Sequence, residues 1–182
     1  MYATLSAFFE KFLDRKTIFK YGFNLSPMYR RSTGRIYFVS EDLLNVKIKI
    51  PLSYKNSNYV GTIFGGSLSS ATDPIYMIQL INILGKEFVV WDKEATIKFK
   101  RPASETAYAD FNFTEEEISQ IKNDIAQNKE LSLIKELSIT NKDKSVVFAE
   151  LIKTIYVANK AYYKEKRRER ISQEPKFDSY IG

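Results

Sequence analysis

The fold turns on one stretch, Asn58-Tyr59-Val60-Gly61-Thr62-Ile63-Phe64-Gly65-Gly66-Ser67-Leu68-Ser69-Ser70-Ala71-Thr72-Asp73-Pro74, which holds three of the chain's seven glycines. It begins as a turn, passes through a glycine pair and continues as small residues into Ile75–Leu84. In that run only Gln79 and Asn82 interrupt apolar side chains. A helix without a polar face is enclosed on most sides, and Gly85 is a good C-terminal stop. The segments on either side alternate like strands. A single enclosed helix among strands argues for an α+β architecture.

Working outward, Leu44, Val46, Ile48 and Ile50 alternate with Asn45, Lys47 and Lys49, the period of a strand with one wet face. With a short strand around Ile36–Phe38 and a turn at Glu41-Asp42, they predict a hairpin that Pro51 ends. Downstream, Phe88–Lys100 and Thr106–Phe113 read as strands, Ala95, Ile97 and Phe99 sharing one face of the first. Thr114-Glu115-Glu116-Glu117 has the form of a capping box and opens an exposed helix to about Gln127. Leu131–Thr140 and Val146–Val157 predict a terminal hairpin around Asn141–Lys144. Upstream, Leu5, Phe8, Phe9 and Phe12 predict a helix over about 4–14. A short helical piece at Ile18-Phe19 and an irregular Gly22–Ser32 segment follow.

With 182 residues, 44% hydrophobic and 27% charged, the chain is long enough for one domain with a real core. The divisions expected are an N-terminal helical segment over 1–33, a core domain over 34–158 and a basic helical tail over 159–182. There is no cysteine and no histidine. Disulfides, thiolate nucleophiles, Cys-based metal sites and Ser-His-Asp triads are therefore excluded. Chemistry must run on carboxylates, amides, hydroxyls, lysines or backbone N–H groups, and the expectation is no metal and no cofactor. The net charge is +6, and from Lys160 onward seven Lys/Arg outnumber four acids. Such a body is only mildly basic and does not look like a nucleic-acid surface. No apolar run reaches membrane-spanning length, and the first residues make a poor signal peptide. The expectation is a soluble, cytoplasmic protein.

These elements, a strand pair, a central helix and four more strands, resemble the hotdog fold. The opening stretch resembles the signature of phenylacetyl-CoA-type hotdog thioesterases: an Asn, His-Gly-Gly six residues later, and an acid nine residues beyond that His. Here Asn58, Phe64-Gly65-Gly66 and Asp73 keep both spacings, with Phe64 where the superfamily has His. The resemblance is closest to an uncharacterised hotdog branch, domain of unknown function 4442, through Gly61–Gly66, Asp73-Pro74, Trp91-Asp92-Lys93 and Phe99-Lys100-Arg101-Pro102. It implies a curved antiparallel sheet of about six strands wrapped round one buried helix. It also implies an acyl-CoA or acyl-carrier-protein thioester as substrate and a homodimer, or a dimer of dimers, with its site at the interface.

Under that resemblance Asp73 is the catalytic acid or base, Asn58 its polar partner, and the Gly65 and Gly66 N–H groups oxyanion donors at a helix N-terminus. Phe64, Ser67, Ser70, Lys98 and Arg101 are candidate substrate contacts, the two cations for CoA phosphates. Asp92 and Glu94 flank the region where a further polar residue is placed. Each has a plainer reading. Asp73 before Pro74 fits an N-cap followed by proline at the first helical position, since a proline inside one continuous helix costs about 3 kcal/mol. Asn58 fits a turn, the glycines close packing, and Phe64 a wall or core residue. Three classes stand side by side: a thioester hydrolase, a non-catalytic hotdog module binding an acyl or other apolar ligand, and a nucleic-acid-linked regulator.

Overall fold

The computed structural model describes residues 14–173; the helix expected over 4–14 lies almost wholly outside them. Helix α1 (Arg15–Leu25) is capped by the Asp14 carboxylate, which accepts from the Thr17 N–H at 2.7 Å. A short α2 (Pro27–Arg31) follows after Ser26. The irregular segment expected over Gly22–Ser32 is thus helical. Phe19 and Phe23 stack one turn apart across Gly22, and Pro27 begins α2 where a missing N–H costs nothing. Tyr29 is fully buried, and its hydroxyl donates to the Ala71 carbonyl.

Strands β1 (Arg35–Val39), β2 (Asn45–Ile50), β3 (Phe88–Phe99), β4 (Ala107–Asn112), β5 (Glu130–Thr140) and β6 (Val147–Asn159) form one antiparallel sheet, in the order β1-β2-β4-β5-β6-β3. The outer ladders are long, but β4 and β5 meet only at Tyr108↔Thr140. Beside that junction Lys135 lies over the Phe113 ring, 4.6 Å from its centroid, and reaches the Glu117 carboxylate at 2.7 Å. Helices α3 (Gly65–Thr72) and α4 (Ile75–Leu84) form the enclosed element, α5 (Glu115–Asn128) lies outside, and α6 (Lys160–Gln173) ends the described chain. The capping box is present: Thr114 Oγ1 accepts from the Glu117 N–H and Glu117 Oε2 accepts from the Thr114 N–H.

The core forms where α4 meets the sheet. Ile75, Tyr76, Leu80 and Leu84 are buried with Ile48, Ile50, Ala109 and Phe111, each large side chain stabilising the fold by about 1.5–3 kcal/mol. Gln79, an interruption in the apolar run, is itself fully buried. Its amide donates to the Leu43 carbonyl at 2.7 Å and the Leu44 carbonyl at 3.0 Å, fastening α4 to the β1–β2 turn. Strand β3 is different. It is a long edge strand, exposed at most positions from Trp91 onward, with a bulge between Asp92 and Glu94. An inserted residue resets the period-2 alternation, so Asp92 shares one face with Ala95, Ile97 and Phe99, each opposite a buried residue of β6.

Candidate functional site

The site grows from the break between α3 and α4. Pro74 has no N–H, so one bond of the ladder is missing, and Asp73 and Pro74 form a turn. Asp73 keeps helical backbone angles (φ −52°, ψ −54°) and closes α3, while Pro74 occupies the N-cap position of α4 with no side-chain cap. The N-cap reading of Asp73 is therefore corrected: its carboxylate caps nothing and stands 61% exposed.

What holds Asp73 is Lys153, a residue that none of the sequence motifs singles out. Lys153 lies mid-β6 on the same face as Leu151, Ile155 and Val157 and is fully buried. Its ammonium donates to the Asp73 main-chain carbonyl, sits 3.3 Å from Asp73 Oδ1 and donates to Asp92 Oδ2 at 2.6 Å. All three N–H donors of an ammonium find acceptors, which is the condition for burying one. Asp92 is 19% exposed, and its Oδ1 is buried with no partner among the described residues. Burial pushes the Asp92 carboxyl above its ordinary range, the Lys153 ammonium pulls it back, and the Asp73 charge pushes it up again. One cation thus serves two carboxylates, one sheltered and one facing outward. The signal in the sequence is a lysine standing in the apolar register of a strand.

At the other end of α3, the Gly65 and Gly66 N–H groups are the first of the helix and have no intrahelical acceptor. Both glycines lie directly under aromatic rings. A Cβ on Gly65 would come within 2.8 Å of the Phe99 ring, and one on Gly66 within 2.2 Å of the Phe64 ring. Phe64 is 59% exposed and Phe99 57%, so Phe64 is a wall rather than core. Asn58 is committed to its own loop: Oδ1 accepts from the Val60 and Thr62 N–H groups, and Nδ2 donates to Thr62 Oγ1. Ser67 is buried in α3 and Ser70 exposed on it. Lys98 and Arg101 are exposed at the end of β3. Glu94 is exposed past the bulge and stands apart from the Lys153 cluster. Among the described residues no group of three carboxylates could hold a metal ion.

The fold is that of a hotdog protein of thioesterase-like architecture. The chain belongs to the family described as Domain of unknown function (DUF4442), whose profile matches residues 15–157. It is similar in structure to a Pseudomonas aeruginosa protein of unknown function described as a probable thioesterase, with TM-score 0.69, 20% identity, and 79% of this chain and 95% of that one covered. It is similar also to a Chlorobaculum tepidum protein of unknown function, with TM-score 0.61, 18% identity and coverage of 87% and 94%. A third likeness is a Haemophilus influenzae thioesterase, with TM-score 0.54, 14% identity and coverage of 75% and 87%. No curated protein sequence matches the chain significantly. At these identities the likeness carries the fold. Among the described residues no helix is long and apolar enough to cross a membrane.

Proposed function

We propose that the protein is a thioester hydrolase acting on an acyl-CoA or acyl-carrier-protein substrate, with Asp73 as its acid–base residue. The observation that carries this reading is the outward-facing Asp73 carboxylate, fixed by a buried Lys153 at the helix break of a hotdog fold. Asp73 takes a proton from water as the water oxygen attacks the thioester carbonyl. The Gly65 and Gly66 N–H groups hold the oxyanion. The C–S bond then breaks, and the leaving thiolate takes its proton from the Asp73 carboxyl. Lys153 and Asp92 act as positioning residues, and Asn58 shapes the loop that delivers Phe64.

One helix cannot supply both ends of that reaction. Gly65 and Asp73 are eight residues apart, about 12 Å along an α-helix, too far to touch one carbonyl. The reading therefore requires two copies, with the glycines of one facing Asp73 of the other. The free edge of β3, exposed on both faces, is the natural seam. One observation favours the second reading, a binding module for an apolar ligand. The Phe64 and Phe99 rings lie against the glycines that would donate to an oxyanion.

Free-thiol release from a panel of acyl-CoAs, with wild type beside Asp73→Ala, separates the two. The expected result is turnover by wild type and its loss in the variant, in a protein that is dimeric by light scattering. Binding of acyl-CoA without turnover leaves the binding module, and turnover that survives Asp73→Ala refutes the assignment.

A further inference from the structure

A groove of about 670 Å³ lies between the C-terminus of α2, the start of β1 and the loop after β2. Four of its nine lining residues are cations, Arg30, Arg31, Arg35 and Lys55, and none is acidic. Among the described residues none of the four is paired with a carboxylate. The contacts they do make leave the charge unneutralised: Arg35 donates to the Gly34 carbonyl at 2.6 Å, and the Lys55 ammonium sits 5.6 Å from the Tyr54 ring centroid. The Tyr54 side chain, 89% exposed, stands at the rim.

Like charges gathered in a concavity repel one another and focus a positive potential into it, the condition for drawing in an anion. Arginine forks match phosphate oxygens in pairs. An exposed aromatic face beside them is a platform for a nucleobase. The volume falls within the roughly 300–1,000 Å³ of small-molecule sites. The groove is also built against α3. Its Thr33 hydroxyl accepts from Asn56 Nδ2 at 2.8 Å, and the Asn56 carbonyl accepts from the Phe64 N–H at 2.8 Å, one residue before Gly65. On the other side Gly34 packs so closely on Ala71 that an added Cβ would lie 2.9 Å from the alanine side chain. Asp73 follows two residues later.

We infer that this groove binds the nucleotide end of a CoA thioester, with the phosphates on the arginines and Lys55 and the adenine on Tyr54. The inference rests on the thioester reading above and sharpens it. A carrier protein offers a single phosphodiester and no base, so three phosphates and an adenine select CoA. It also moves the phosphate role away from Lys98 and Arg101, which lie on an exposed strand end outside the groove.

The test is titration of the full chain with adenosine 3′,5′-bisphosphate, which contains no thioester. Wild type is expected to bind it, with affinity falling as salt rises. The double variant Arg31→Ala/Lys55→Ala is expected to weaken binding about tenfold or more, and Tyr54→Ala to weaken it severalfold. Both changes are on exposed side chains, and circular dichroism checks the fold. In kinetics, the double variant raises KM for acyl-CoA and leaves hydrolysis of the matching S-acyl-N-acetylcysteamine thioester, which lacks the nucleotide, unchanged. Absence of bisphosphate binding by wild type, or equal binding by the variants, overturns the inference. So does binding of an acyl-carrier protein at this groove without binding of the bisphosphate. If neither thioester is hydrolysed, the catalytic reading fails while the titration still decides the groove.

Discussion

Lys153→Met keeps most of the side-chain volume and removes the charge. Three acceptors lose their donor at once: the Asp73 carbonyl at the helix break, Asp73 Oδ1 and Asp92 Oδ2. Asp73 is outward-facing and is rehydrated at little cost. Asp92 is not, because its Oδ1 already lacks a partner and its side chain is only 19% exposed. Breaking a buried pair from one side costs about 3–5 kcal/mol; the partial exposure of Asp92 places this variant near 3 kcal/mol. For a chain of this size that lowers Tm by about 6–12 °C. The pH dependence follows from Asp92. Its folded pKa is raised by burial in the wild type and rises further without the ammonium. A raised carboxyl pKa favours folding below the unfolded pKa, and that benefit is lost as pH climbs through the folded value. The deficit of the variant therefore shrinks toward acid and grows toward neutrality. Urea denaturation from pH 4 to 8 measures it. The double variant Asp92→Leu/Lys153→Met, which removes both charges, serves as the control and is expected to recover most of the loss. A single variant within about 0.5 kcal/mol of wild type, or a double variant no more stable than the single, refutes the reasoning.

Asp73→Asn leaves stability within about 0.5 kcal/mol, because the side chain is mostly exposed and Lys153 keeps its other two acceptors; thiol release falls by about 10²–10⁴-fold. Gly34→Ala and Gly66→Ala are expected to part company in thermal melts. An added methyl at Gly34 lies 2.9 Å from both Ala71 Cβ and the hydroxyl of buried Tyr29 and costs about 1–3 kcal/mol. At Gly66 it displaces only the exposed Phe64 ring and costs under about 1 kcal/mol. Thr114→Ala removes one half of the capping box and lowers stability by about 1 kcal/mol, read as a Tm shift of about 2–4 °C.

The elements are legible where one period runs uninterrupted. Ile75–Leu84 and the sheet strands fall within a few residues of where alternation and capping put them. Gly22–Ser32 is not legible, because proline and glycine read as breakers although each sits where a helix tolerates it. Ala95, Ile97 and Phe99 do share one face, but that Asp92 stands on it too is hidden, since a bulge at Lys93 changes phase without any mark in composition. At the site, spacing locates Asp73 and the glycine pair but not what holds the acid in place. Lys153 is eighty residues away in sequence, and only strand pairing brings it under the helix break. Its one trace is a charge in an apolar register.

The thin junction between β4 and β5 has a mechanical consequence. With Cα pairing reduced to Tyr108↔Thr140, the sheet divides into two panels, β1-β2-β4 and β5-β6-β3, joined along a thin seam. The panels share few backbone bonds, so side chains join them: the Lys144 ammonium reaches Asp110 at 2.7 Å across the junction, and both panels grip the same helix. Gln79 ties α4 to the first panel, and Lys153 ties the α3–α4 break to the second. Any flexing along that seam would therefore load the segment that carries Asp73, which stands between the tie to one panel and the tie to the other.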